Sequence, residues 1–66
     1  MAVVKMIEVM GTSEDSWEDA VKNALNGAKK SIHGISGIEV VSQTAAVMEG
    51  ELKEFRATVK IAFKVD

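Results

Sequence analysis

The sequence predicts an α+β fold of order β-α-β-β, in which a three-stranded antiparallel sheet wraps around one helix. Residues 55–65 alternate apolar and polar side chains, interrupted at Ala62, and this period of two is typical of a strand with one buried face. Residues 14–32 repeat their apolar side chains every three or four positions, which is typical of an amphipathic helix. Two further apolar stretches of strand length complete the prediction.

The size of the chain predicts self-association. Its 66 residues make one small domain, spanning 1–66. A domain of about this size buries only about 60% of the surface that its unfolded chain exposes. Small domains usually add disulfides, a metal or oligomerisation, and this chain has no cysteine. With 47% hydrophobic residues available, we expect a homo-oligomer.

The charge and hydropathy patterns argue against several classes of partner. The net charge is −2 and the cations form no basic patch, so no nucleic-acid partner is expected. No run approaches the roughly 18 apolar residues of a membrane span, so no membrane partner is expected either. Residues 1–10 are too short and too charged for a signal peptide, and we expect a cytoplasmic protein.

The first strand is predicted at about residues 3–10 and is largely apolar on both sides. A strand with two apolar faces is usually covered on both of them. Because the sequence offers one helix, we expect the second cover to come from another subunit. The two faces consist of Val3, Lys5, Ile7 and Val9 on one side, and Val4, Met6, Glu8 and Met10 on the other.

The helix is predicted at about residues 14–32. A Gly-Thr-Ser sequence ends the strand before it, with Thr12 or Ser13 as the expected N-cap, and Gly34 is the expected stop. Gly27 costs a helix roughly 1 kcal/mol against alanine. Because Gly27 lies beside the small residues of the apolar stripe, we expect it to let the sheet approach closely.

The second and third strands form a predicted hairpin. They are expected at about residues 38–48 and 52–65, joined by Glu49 and Gly50. Glycine at the second turn position is free to adopt the positive φ that tight hairpin turns require.

The polar side of the third strand has two interpretations. Its side chains can be solvated or paired with glutamates of a neighbouring strand, and this interpretation is slightly favoured. They can also line a pocket for an anionic ligand between subunits. The side chains concerned are Arg56, Thr58, Lys60 and Lys64.

Few residues suit catalysis, and no enzymatic activity is predicted. The one histidine, His33, follows the helix, where a positive charge is favoured without any catalytic role. No phosphate-binding glycine loop or zinc-ligand spacing occurs. Trp17 heads the apolar stripe, so core packing is favoured over a role as a ligand platform.

An acidic group at the start of the helix also has two interpretations. Clustered carboxylates are the ligands that calcium prefers, although the spacing here differs from that of an EF-hand loop. Negative charge near a helix N-terminus is stabilised by the helix dipole, and this second interpretation is preferred. The group consists of Glu14, Asp15, Glu18 and Asp19.

The order and spacing of these elements resemble the dodecin family. The similarity covers nearly the whole chain and includes Gly11-Thr12-Ser13, Glu39-Val40-Val41 and Val59-Lys60-Ile61-Ala62-Phe63. The resemblance implies a hollow homododecamer built from trimers. It also implies binding of riboflavin, FMN or FAD, stacked in pairs at subunit interfaces, and a role in flavin storage rather than catalysis.

Both flavin-contacting positions that the resemblance implies are substituted. The flavin-stacking tryptophan of the family falls on Gly37, which has no π face. The glutamine that hydrogen-bonds the isoalloxazine edge falls on Arg56, which donates hydrogen bonds and cannot accept them. The leading hypothesis is a non-enzymatic shell that binds or stores a small molecule at an altered flavin site.

The start of the helix, Ser16-Trp17-Glu18, is more similar to a branch of the family that lacks the stacking tryptophan. That branch has a calcium-binding member, so the resemblance implies an association with calcium but assigns no ligands. The alternative hypothesis is a flavin-free structural assembly that binds calcium or another ion.

Overall fold

The computed structural model describes residues 3–65 as four elements: β1 (Val3–Ser13), α1 (Trp17–Lys29), β2 (Ile35–Met48) and β3 (Glu51–Val65). The strands form one sheet of order β1-β3-β2, with both pairs antiparallel. The predicted β-α-β-β order and three-stranded antiparallel sheet are confirmed. β3, the last of the four elements along the chain, lies in the middle of the sheet.

The helix is shorter than the sequence pattern indicated. It begins at Trp17, and its N-cap is Ser16, whose side chain accepts a hydrogen bond from the Asp19 N–H at 3.0 Å. The expected caps were therefore wrong, because the Ser13 hydroxyl closes a turn before the helix by accepting from the Asp15 N–H at 2.9 Å. Glu14 and Asp15 thus precede the helix.

The helix ends at Lys29, so the predicted end at residue 32 was also too late. Lys30 is the C-cap residue, and its N–H donates to the Gly27 carbonyl at 3.3 Å. Gly34 has a φ of +73° but lies beyond the helix. There its carbonyl accepts from the Lys64 N–H at 3.1 Å and ties the loop to β3.

The strands are longer than predicted. β1 continues through Gly11 to Ser13, β2 begins at Ile35, and β3 begins at Glu51. Glu49 and Gly50 have φ values of 54° and 79°, which is typical of a type I′ hairpin turn. The expected positive φ at Gly50 is confirmed. The pairing of β2 with β3 has three register shifts, between residues 35 and 37, between residues 40 and 42 and between residues 46 and 47.

The core lies between the small side chains of α1 and the middle of β3. Six residues form it: Ala20, Ala24, Ala28, Ala57, Val59 and Ile61. Gly11 of β1 is what lets the helix lie so close, because a Cβ there would lie 2.8 Å from the Ala24 Cβ and closer still to the Ala20 carbonyl oxygen. The prediction that Gly27 lets the sheet approach closely was wrong, since nothing lies within 4 Å of the position its Cβ would occupy.

The helix covers β1 and β3 and leaves most of β2 bare. Ile38 and Val40 of β2, which pair with the buried Ile61 and Val59, are still 40% and 45% exposed. In β1, Ile7 and Val9 pack against the core from one side, while the opposite side is exposed. The subunit therefore supplies one of the two covers that the first strand was predicted to need.

Within residues 3–65, the helix is not long and apolar enough to cross a membrane.

Candidate ligand-binding face

The side of the sheet that faces away from α1, called here the open face, carries the predicted site residues. Directly opposed residues of antiparallel strands project to the same side of a sheet. Since Ala57, Val59 and Ile61 are buried against the helix, their even-numbered neighbours in β3 project to the open face. From one end of β3 to the other, the rows across the sheet are Met6–Ala62–Gly37, Glu8–Lys60–Glu39, Met10–Thr58–Ser42 and Thr12–Arg56–Thr44.

Gly37 lies in a shallow part of the open face. It is opposite Ala62, and nothing lies within 4 Å of the position that a Cβ on Gly37 would occupy. The backbone there has an ordinary φ, so the space and the conformation would both accept a side chain. The absence of a ring at this position is therefore a property of the sequence, and the fold does not impose it.

Arg56 lies at the other end of the same face, between two hydroxyl-bearing residues. Thr12 of β1 and Thr44 of β2 are its direct partners in the register. The Arg56 Nε donates to Oε1 of Glu54, two positions earlier on the same strand, at 2.7 Å. Sequence reasoning did not place Thr12 beside Arg56, because β1 was predicted to end at about residue 10. It did not place Thr44 there, because the register of β2 depends on its bulges, and the sequence marks one of them only by the adjacent apolar residues Val40 and Val41.

Within one subunit, Gly37 and Arg56 are not brought together. Gly37 is level with residue 62 of β3, and a strand rises about 3.3 Å per residue, so the two positions lie about 20 Å apart. A small ligand that contacts both positions must therefore contact two subunits.

The favoured interpretation of the polar side of β3 was solvation or pairing with glutamates of a neighbouring strand, and the charged side chains of the open face fit its first half better than its second. Lys60 is opposite Glu8 and Glu39, one on each neighbouring strand, yet no ion pair within 4.0 Å joins them in the described part of the chain. Arg56 has its ion pair with Glu54 of its own strand instead. Lys60 lies between two carboxylates and attracts both of them across the strands without direct contact.

The predicted acidic group does not converge on one point. Asp19 accepts from the Ser13 hydroxyl at 2.7 Å, Glu18 pairs with Lys22 at 3.8 Å, and Glu14 and Asp15 are exposed. Only Glu18 and Asp19 lie in the first turn of the helix, where the dipole stabilises them. Across residues 3–65, no three histidine, cysteine or acidic side chains are grouped so that they could hold a metal ion.

A polar groove of about 550 Å³ nevertheless lies beside this group, at the end of β1 that leads into α1. Most of its lining is acidic or carries amide and hydroxyl groups, with one lysine. The lining residues are Thr12, Ser13, Glu14, Asp15, Asp19, Asn23, Lys53 and Glu54. The groove offers oxygen ligands, but the subunit does not assemble them into a closed site.

Trp17 connects the start of the helix to two strands. Its indole N–H donates to the Thr44 carbonyl of β2 at 2.8 Å, and its ring meets Phe55 of β3 edge-on at a centroid distance of 4.9 Å. The ring is half-buried, which agrees with a packing role. It lies on the helix and not at the open face, so it does not stand in for the ring missing at Gly37. His33 is exposed in the loop between α1 and β2.

A comparison with known protein families matches residues 3–66 to the sequence profile of the family described as Dodecin. The match covers nearly the whole chain. The chain belongs to the dodecin family.

Individual dodecins agree with this assignment. The chain is similar to the calcium dodecin of Mycobacterium tuberculosis, with 34% identity over 98% of this chain and 92% of that protein. It is also similar to the dodecin of Thermus thermophilus, with 30% identity over 97% of this chain and 93% of that protein.

Solved dodecin structures share the fold as well as the sequence. A crystal structure of a T. thermophilus dodecin variant, in which a tryptophan is replaced by phenylalanine, superposes with a TM-score of 0.95 at 29% identity, covering 100% of this chain and 98% of that one. The crystal structure of the calcium-chelating M. tuberculosis calcium dodecin, described as having a novel calcium-binding site, gives a TM-score of 0.84 at 33% identity over 97% and 91% of the two chains.

Proposed function

We propose that this dodecin is a non-enzymatic shell of twelve identical subunits, built from trimers, that binds and stores a small molecule at the open face. The observation that supports assembly is the amount of apolar surface that the subunit leaves uncovered on both sides of its sheet. Met6 and Met10 are 53% and 58% exposed on the open face, and Ile38 and Val40 are exposed on the helix side. A stable soluble chain of this size needs a partner for such surfaces.

The ligand of the shell is not a flavin stacked on a tryptophan. Gly37 supplies no ring, and the one tryptophan of the chain, Trp17, lies on α1. Stacking of aromatic rings contributes about 0.5–1.5 kcal/mol beyond the area buried, and this contribution is missing here. Arg56 cannot accept the hydrogen bond that an amide would accept, so the edge of an isoalloxazine ring also loses a partner.

The test is a flavin titration followed by quenching of flavin fluorescence, together with light scattering to count the subunits. We expect a dodecamer that quenches riboflavin and FMN weakly, and we expect Gly37→Trp to quench both strongly. Ile38→Trp is the matched control, because residue 38 lies on the helix side of the same strand and its ring cannot reach the open face. Tight binding by the unaltered protein, unchanged in Gly37→Trp, would contradict the proposal.

A second candidate function is a flavin-free assembly that binds calcium. Two observations favour it: the 34% identity with a calcium dodecin, and the acidic groove at the end of β1. Because the carboxylates of one subunit do not converge, the ligand set would include oxygens from a neighbouring subunit. Calcium has six to eight oxygen ligands, which exceeds what the groove presents to a single point.

The calcium function predicts that a chelator changes the particle size or lowers Tm, while added flavin has no effect. Asp15→Asn removes an exposed groove carboxylate and should weaken calcium binding in calorimetry. Glu49→Gln is the control, because it removes the same charge from the hairpin turn between β2 and β3, which does not line the groove. Equal calcium affinities for the two variants would exclude the groove as the site.

A further inference from the structure

We infer that Arg56, Thr12 and Thr44 form an oxyanion-binding subsite, so that the molecule held at the open face carries a carboxylate or a phosphate group. This inference rests on the proposed function, since it names the class of ligand that the open face would bind. The group recognised at residue 56 would then be a compact anion, in place of the flat, neutral edge of an isoalloxazine ring. The donor set of the three residues supports it, and so does their placement in one row of the sheet.

The register places two threonines at matched positions on either side of Arg56. Thr12 and Thr44 are the direct partners of Arg56 in β1 and β2. Directly opposed residues on one face of an antiparallel pair have Cβ atoms about 4.5–5.5 Å apart. A hydroxyl group can donate to an anion from each side while the arginine donates from the middle. The next row adds Thr58 and Ser42 about 7 Å away along the strands.

The guanidinium group is held in place but has donors to spare. Its Nε donates to Glu54 at 2.7 Å, which uses one of the five N–H groups that an arginine offers. Within residues 3–65, its terminal nitrogens donate to no other group. The Arg56 side chain is 42% exposed, so those nitrogens remain accessible at a partly desolvated surface. Two parallel N–H groups match the geometry of a carboxylate or a phosphate.

Glu54 determines how the subsite can recognise an anion. Its carboxylate offsets the charge of Arg56, so attraction by net charge is weak and binding depends on the fixed directions of the donors. A lysine at residue 56 would keep the positive charge but lose the planar pair of N–H groups. If the ion pair between Arg56 and Glu54 were purely structural, it would bind no anion. A measurement of anion binding therefore distinguishes a structural role of Arg56 from a binding role.

The experiment measures anion binding to the intact assembly by two probes. Inorganic phosphate is followed by broadening of its ³¹P resonance, and acetate is followed by saturation transfer from the protein, so the phosphate and carboxylate classes are scored separately. We expect at least one probe to bind. Arg56→Gln should reduce that affinity at least tenfold, Arg56→Lys should give an intermediate loss, and Thr44→Val should give a smaller one.

Lys22→Gln is the matched control. Lys22 is also a cation that pairs with a glutamate of its own element, Glu18 of α1, at 3.8 Å, and it lies outside both the open face and the acidic groove. Replacing Lys22 should leave both anion affinities unchanged. Equal binding by Arg56→Gln and the unaltered protein would overturn the subsite, and so would equal losses in Arg56→Gln and Lys22→Gln.

The same preparation separates this inference from the proposed function. An intact shell that binds riboflavin but neither anion would overturn the oxyanion subsite and leave the storage function standing. A protein that remains a monomer and binds neither anions nor riboflavin would overturn the proposed function itself.

Discussion

The two faces of the sheet are built from the same three strands, yet they differ in nearly every physical respect. The helix side is lined by small and branched apolar residues, of which Ala57, Val59 and Ile61 are completely buried. The open face carries rows of charges and hydroxyl groups beside exposed methionines. Where the helix covers it, the helix side accepts almost no change of volume, whereas the open face has room, so we expect stability to depend on the first face and ligand choice on the second.

The largest expected effect comes from filling the contact between β1 and α1. Gly11→Val would place side-chain atoms against the Ala20 carbonyl and the Ala24 side chain, so the helix would have to move off the sheet. We expect a loss of about 3 kcal/mol or more, enough to prevent folding of a marginally stable subunit. Circular dichroism and denaturant titration of the purified protein measure it.

Gly37→Val is the matched control on the open face, where a Cβ meets nothing within 4 Å. It should change the free energy of unfolding by less than about 0.5 kcal/mol. If both variants unfolded at the same denaturant concentration, the contrast between the two faces would be wrong.

A comparable effect is expected from removing a core side chain. Ile61→Ala should lower the free energy of unfolding by about 2–5 kcal/mol, because Ile61 is completely buried and its neighbours can close the cavity only in part. The loss should be the same at low and high protein concentration. Urea denaturation at two protein concentrations checks both statements.

Met6→Ala truncates an open-face residue that the subunit leaves 53% exposed. Its cost should appear mainly as weaker assembly, and therefore as a loss that grows when the protein is diluted. A concentration-independent loss as large as that of Ile61→Ala would show that Met6 belongs to the core of the subunit.

The smallest effect concerns the row of charges on the open face. Lys60→Glu would place three carboxylates side by side, at residues 8, 60 and 39, and should destabilise the protein by about 1 kcal/mol. Because these charges are near the surface, the loss should shrink in 1 M salt. Lys60→Gln removes the attraction without adding repulsion and should cost less, and thermal melting at two salt concentrations measures all three proteins.

The fold could be predicted because its signals are local and redundant. The strict alternation in β3 and the spacing of the small residues in α1 each indicate one element and one buried face. The start of the helix could not be predicted from the sequence, because Ser13 and Ser16 are both good caps. Only the backbone shows that Ser16 is the N-cap of the helix. The sequence pattern predicts Gly11 at the end of a strand, whereas the close approach of α1 is what requires a glycine there.

The candidate site could be predicted only in part. The alternation in β3 is enough to place Arg56 on a polar side of the strand. Its neighbours in space depend on the register of β2, which shifts at the bulges near residues 36 and 41. Since a one-residue shift exchanges the two faces of a strand, the position of Thr44 beside Arg56 follows from the structure and not from the sequence pattern. The binding role of Gly37 and Arg56 stays a prediction.

The central position of β3 has a consequence for the order of events during protein synthesis. β1 and β2 are not neighbours in the sheet, so each must wait for β3 before it has a hydrogen-bonded partner. While the ribosome is still adding β3, the helix has only part of its core and β1 has no sheet to join. Non-local pairing of this kind slows folding and leaves apolar strands exposed for longer. Native folding of this subunit therefore waits until β3 has left the ribosome, and any subunit that joins an assembly does so only after that point.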